Sequence, residues 1–136
     1  SHAQLGAAIG LVERCPSVRM ILDHIGKPDI RRGVREPWMR EIKTLAGFPN
    51  VWCKVSSVAT EADNERWTVD DLRPYVDHVF SCFGFDRTVF AGDWPVSSLA
   101  AHYPVCVATL ERLLPGASEA DLVKLFRENG RRFYGV

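Results

Sequence analysis

Three short apolar stretches of the chain are each followed by residues that could bind a ligand. "ILDHIGKP" contains His24, "NVWCKVSS" contains Lys54 and Ser56, and "RTVFAGDWPV" contains Asp93. Imidazole and carboxylate groups are common metal ligands and proton carriers. If the stretches are neighbouring parallel strands about 4.8 Å apart, their outer residues lie about 10 Å apart at the backbone. The His24 and Asp93 side chains could then meet on one small substrate or metal.

Each candidate also has a purely structural interpretation. His24 can be a strand-end histidine that is hydrogen-bonded to neighbouring backbone. Asp93 can cap a turn in Gly-Asp-Trp-Pro, and Lys54 can reach solvent or pair with an acid such as Glu61. Trp94 lies in the loop after the third stretch, where it is a candidate for lining a pocket. The residue types alone therefore leave both interpretations open.

The elements that must position these residues alternate between strands and helices. Strands are predicted at residues 19–24, 50–57 and 87–93, and helices near 3–14, 36–46, 70–83, 99–114 and 118–129. The second strand should place alternate side chains on opposite faces, with Val51, Cys53 and Val55 on one face and Trp52, Lys54 and Ser56 on the other. Asn129-Gly130 is predicted to stop the last helix. This order predicts an α/β fold with a parallel sheet, as either a doubly wound sheet or part of a (β/α)8 barrel.

Composition bounds the fold and argues against several classes of partner. A chain of 136 residues, 46% hydrophobic and 25% charged, suits a single globular domain. Seventeen basic and seventeen acidic residues give no net charge, so neither nucleic acid nor a membrane surface is an expected partner. The four cysteines are scattered without a CxxC pair, so we expect reduced thiols and a cytoplasmic protein.

Four motifs together resemble one family in order and spacing: "ILDHIGKP", "NVWCKVSSVATEAD", "FGFDRTVFAGDWPV" and "FRENGRRFYGV". They resemble the amidohydrolase-related (amidohydrolase 2) lactonases, a group that includes L-fuconolactonases and pyrone dicarboxylate lactonases. The resemblance implies a (β/α)8 barrel whose strands 6, 7 and 8 are present here. Residues 1–136 would then be a partial barrel domain without its N-terminal strands. Its open edges would pair with a second copy of the chain or with the N-terminal half of the barrel.

The resemblance also implies a reaction and a role for each candidate residue. The family hydrolyses the ester bond of a small sugar lactone or a related cyclic ester. Asp93 would be the general base, and His24 would polarise the carbonyl group. Lys54, Ser56 and Trp94 would bind the substrate. The cofactor would be either one divalent metal such as zinc, held by His24 and Asp93, or none.

Two residues beside the proposed site depart from the family pattern. Gly92 stands where the family usually has serine, and Ser57 stands where it has glycine. A complete barrel has eight strands and about 250 residues, so we expect residues 1–136 to be inactive alone. Two other interpretations remain open from the sequence. One is a decarboxylase built on a related barrel, and the other is a non-catalytic partial barrel that serves as an assembly module.

Overall fold

The sheet of this protein has three parallel strands that lie side by side in chain order. The computed structural model describes residues 1–136. Strand β1 (Met20–Leu22) pairs with β2 (Val51–Val55), and β2 pairs with β3 (Thr88–Phe90). The predicted α/β fold with a parallel sheet is therefore confirmed. Because β2 is the central strand, residues that follow it lie between those that follow β1 and β3.

Helices fill the gaps between the strands and extend beyond the last one. The α-helices are α1 (Leu5–Arg14), α2 (Trp38–Ala46), α3 (Val69–Phe83), α4 (Tyr103–Leu113), α5 (Glu119–Val123) and α6 (Asn129–Tyr134). A π-helical turn over Lys124–Glu128 joins α5 to α6 without a break. No helix is long and apolar enough to cross a membrane.

The two faces of β2 meet different parts of the protein, as the alternation predicts. Val51, Cys53 and Val55 are at most 2% exposed and belong to the main apolar core, which also contains residues of α2 and α3. On the other face, the Trp52 ring packs against Phe133 of α6 at 5.6 Å between ring centroids. The side of the sheet that faces α2 and α3 therefore supplies the core, and the opposite side packs against α6.

All three predicted strands end earlier than the sequence indicated, with β2 ending at Val55 instead of Ser57. β1 ends at Leu22 and β3 ends at Phe90, so neither reaches its candidate site residue. His24 has φ = 52° and Asp93 has φ = 48°, which is left-handed backbone rather than extended strand. The predictions that the strands run through residues 24 and 93 are therefore wrong. Both side chains lie on short loops just beyond the strand ends.

The predicted helix stop at Asn129-Gly130 is also wrong, because the helix continues to Tyr134. The Asn129 side chain is buried and donates hydrogen bonds to the carbonyl oxygens of Phe85, at 2.6 Å, and Thr88, at 2.8 Å. Asparagine at this position therefore fastens the helix to the start of β3 instead of ending it. The stop comes at Gly135, whose φ of 75° suits glycine.

Candidate active site

Four polar side chains meet where the loops leave the three strands. His24 Nδ1 lies 2.8 Å from the Ser56 hydroxyl oxygen and 3.8 Å from Asp93 Oδ2. The Ser57 hydroxyl donates a hydrogen bond to the same oxygen of Asp93. The structure thus brings together His24, Ser56 and Asp93 from the predicted site, and it adds Ser57.

Left-handed backbone recurs at the start of each loop. His24 and Ser57 lie two residues beyond the ends of β1 and β2, Asp93 lies three residues beyond the end of β3, and their φ angles are 52°, 49° and 48°. Non-glycine residues adopt this region at a cost in free energy, and they cluster at functional sites when the surrounding structure holds them there. Each strand therefore ends in a sharp change of direction, and these turns bring the three side chains together.

The site is partly open to solvent. The His24 and Asp93 side chains are 23% and 25% exposed, so a small molecule or a water can reach both. Ser56 and Ser57 beneath them are buried. Two buried hydroxyl side chains thus lie below two titratable side chains that are partly exposed.

Lys54 is held by two neighbours instead of pointing freely into the site. Its ammonium nitrogen lies 2.6 Å from Asp23 Oδ1 and 5.7 Å from the centre of the Tyr134 ring. Burial lowers the pKa of Lys54, but hydrogen bonds to Asp23 and Tyr134 outweigh it and place the pKa above the usual 10.5. Lys54 is therefore a cation at neutral pH. Glu61, which the sequence suggested as its partner, pairs with Lys27 at 2.7 Å instead.

Trp94 stands apart from the buried part of the site. It follows Asp93 directly, and it is 81% exposed. Its ring therefore forms no wall of an enclosed pocket within residues 1–136. A substrate-binding role for Trp94 remains a prediction.

A small cavity lies beside the site, between the sheet and the helices. Its volume is about 40 Å³, and its lining is mostly apolar: Val55 comes from β2, Leu72 and Leu110 from α3 and α4, and Ser57 and Gly92 from the loops. This is room for one or two water molecules and too little for a sugar. A substrate of His24 and Asp93 would therefore bind at the open mouth of the loops.

Sequence reasoning missed two contacts in this region. Ser57 was noted only as a departure from a family pattern, and its contact with Asp93 depends on a backbone angle that the residue type does not reveal. Asp23 could have been found, because the parallel pairing of Leu22 with Cys53 places Asp23 beside Lys54.

Comparison with known proteins yields matches along the whole chain. A family model described as amidohydrolase matches residues 1–136. An L-fucono-1,5-lactonase from Burkholderia ambifaria is 42% identical over 97% of this chain and 47% of its own length. A crystal structure of an amidohydrolase from Burkholderia multivorans, with bound HEPES, gives a TM-score of 0.92 at 29% identity over 99% of this chain and 50% of that chain. The chain thus spans about half the length of these relatives, and its numbering as strands 6, 7 and 8 of a barrel stays a prediction.

Zinc is bound in another crystal structure of an amidohydrolase from Burkholderia multivorans, with a TM-score of 0.90 at 29% identity. Catalytic zinc sites generally use three protein ligands. His24 and Asp93 are two candidate ligands, but the structure contains no group of three His, Cys, Asp or Glu side chains that could hold a metal ion. These residues therefore do not form a complete zinc site by themselves. A metal here would need a further ligand from outside residues 1–136.

Proposed function

The chain belongs to the amidohydrolase family, as its motifs predict, and we propose that it carries part of the active site of a lactone hydrolase. The observation that supports this proposal best is the meeting of His24 and Asp93, each on a loop that follows a parallel strand. The substrate class we propose is a small sugar lactone or a related cyclic ester. Similarity to an L-fucono-1,5-lactonase supports this choice.

Asp93 is the general base in this proposal. Its carboxylate takes a proton from the water that attacks the ester carbonyl, and it returns the proton to the alkoxide that leaves as the ring opens. Both contacts of Asp93 in the site, with Ser57 and with His24, involve Oδ2. Oδ1 is then the oxygen that faces the water.

His24 is the electrophilic group in this proposal. When its Nδ1 accepts a hydrogen bond from the Ser56 hydroxyl, the neutral ring carries its proton on Nε2. Nε2–H can then donate to the carbonyl oxygen as negative charge builds there. Ser56, as the donor in this hydrogen bond, would hold His24 in the tautomer that this proposal requires.

Lys54 and Trp94 complete the proposed substrate contacts. Lys54 supplies a fixed positive charge beside the site, because its partner Asp23 directly precedes His24. Trp94 offers an exposed ring on which an apolar sugar face can pack. We propose further that the remaining walls come from a polypeptide that completes the barrel beside β1 and β3.

The test is an Asp93→Asn variant of the longest natural polypeptide that carries this chain, assayed on a panel of sugar lactones. The expected result is a loss of kcat by about 100-fold or more, because general acid–base catalysis contributes roughly that much. Asp77→Asn, on the exposed face of α3, is the matched control and should keep wild-type turnover. Near-native turnover of Asp93→Asn would contradict the role of Asp93. Release of CO2 from aromatic acids by a protein that is inert on lactones would instead favour decarboxylation.

A further inference from the structure

We propose that Ser57 is a positioning residue that fixes the carboxylate of Asp93. This inference rests on the proposed function for its kinetic consequences, although its geometric basis is independent of the substrate. Ser57 follows the central strand, Asp93 follows its neighbour β3, and the Ser57 hydroxyl donates to Asp93 Oδ2.

The Ser57 side chain departs from the alternation of the strand before it. Consecutive residues of an extended strand place their side chains on opposite faces of a sheet. Ser56 and Ser57 nevertheless contact residues of the same site: Ser56 reaches His24 on one side, and Ser57 reaches Asp93 on the other. The left-handed φ of 49° at Ser57 is what breaks the alternation. Through this one backbone turn, the central strand supports both partners of the acid–base pair.

Two hydrogen bonds from Thr60 keep Ser57 in its costly conformation. The Thr60 hydroxyl and the Thr60 backbone N–H both donate to the Ser57 carbonyl oxygen, at 2.7 and 3.2 Å. Ser57 itself is only 8% exposed, so water competes little for its hydroxyl. The Ser57 backbone is thus held through its carbonyl group, and the Ser57 hydroxyl is free to donate to Asp93.

The Asp93 side chain is 25% exposed and lies on a loop of its own. A carboxylate on such a loop can rotate about its side-chain bonds, and a misplaced base loses much of its catalytic advantage. Because the Ser57 hydroxyl donates to Oδ2, rotation of the carboxylate would break that hydrogen bond. Ser57 therefore holds the second oxygen towards the space where water would attack.

The test compares Ser57→Ala with Ser57→Gly in the longest natural polypeptide that carries this chain. Both variants lose the hydroxyl, but only glycine relaxes the left-handed backbone. We expect kcat on a lactone to fall by roughly 10- to 100-fold in both variants, with KM within about twofold of wild type. The melting temperature should separate them, with Ser57→Gly at or above wild type and Ser57→Ala below. Ser98→Ala is the control. It removes an exposed hydroxyl that donates a hydrogen bond to the Pro95 carbonyl oxygen, and it should leave kcat and KM unchanged.

Two kinetic results would overturn the proposal. One is wild-type kcat in both variants, and the other is loss of kcat in Ser57→Ala alone, which would assign the effect to backbone strain. Crystal structures of both variants give a readout that needs no turnover. A rotated Asp93 carboxylate in both supports positioning, and an unchanged carboxylate refutes it, even if the wild-type protein hydrolyses no lactone and the proposed function fails.

Discussion

The ring of Tyr103 occupies the space that a side chain at Gly92 would need. A Cβ atom built on Gly92 would lie 2.8 Å from both Cδ2 and Cε2 of that ring. The ring also packs edge-on against Phe90, with 6.0 Å between centroids. Glycine at position 92 is thus matched by a tyrosine at the start of α4. The two residues shape the loop that carries Asp93.

Substitution of Gly92 should therefore be coupled to Tyr103. Gly92→Ala is expected to push the half-exposed ring away from Phe90 and to lower the free energy of unfolding by about 1 kcal/mol, the typical value of an aromatic pair. In a Tyr103→Ala background the same change should cost much less, because nothing is left to collide with. Urea unfolding of the two single variants and the double variant measures this coupling. Equal costs in both backgrounds would show that the collision is unimportant.

His24→Asn should reduce lactone hydrolysis without unfolding the protein. Asparagine tolerates the left-handed backbone of His24, so the loop should keep its shape. The imidazole donor is lost, and kcat is expected to fall by about 100-fold, as for other oxyanion donors. His102→Asn, at the exposed start of α4, is the matched control. A His24→Asn variant with unchanged kcat would remove His24 from the mechanism.

The Lys54–Asp23 ion pair should persist through neutral and mildly alkaline pH. The pKa of Lys54 is raised in the folded protein, so its contribution to stability is complete below the unfolded pKa of 10.5 and is lost as the pH rises through the folded value. A double-mutant cycle with Lys54→Met and Asp23→Asn should give a coupling of about 0.5–1 kcal/mol at pH 7, because Asp23 is 55% exposed and screened by water. Urea unfolding at pH 7, 9 and 11 checks this. A coupling that vanishes between pH 7 and 9 would contradict the assignment.

Asn129→Ala should destabilise the protein more than its small change in volume suggests. Two backbone carbonyls, those of Phe85 and Thr88, would lose their side-chain donor, and leaving buried groups unpaired costs about 2–3 kcal/mol. The exposed Asn64→Ala is the control, with an expected change within about 0.5 kcal/mol. Thermal unfolding of both variants tests the prediction. A loss below about 1 kcal/mol for Asn129→Ala would mean that water replaces the amide.

The sheet could be predicted from the sequence because its central strand is strongly patterned. Alternation in β2 correctly separated the core residue Cys53 from Trp52, which meets the C-terminal helix. The ends of β1 and β3 were beyond this reasoning, since apolar and β-branched residues favour extended backbone but do not mark where a left-handed residue interrupts it. The predicted helix stop at Asn129-Gly130 was wrong for a related reason. The pair is typical of a helix end, and only the tertiary contacts of Asn129 show that the helix continues.

The sequence was enough to predict that His24 and Asp93 would lie close together, because each follows a strand of the same parallel sheet. His24 and Asp93 were chosen because parallel strands end at one edge, and their side chains do approach to 3.8 Å. Ser57 could not be chosen in this way, because a regular strand would turn it to the other face. Its contact with Asp93 depends on one dihedral angle, which hydrophobic pattern does not encode.

The shared conformation of His24, Ser57 and Asp93 limits the routes by which sequences can gain or lose this site. Histidine and aspartate are among the few residues, with asparagine and glycine, that enter left-handed backbone readily. The backbone conformation of these loops therefore favours some residue types over others, whatever their chemical role. Two of the favoured residue types, histidine and aspartate, have side chains that can transfer protons. An ancestral loop with glycine or asparagine at positions 24 and 93 could thus acquire the acid–base pair through single substitutions, without refolding.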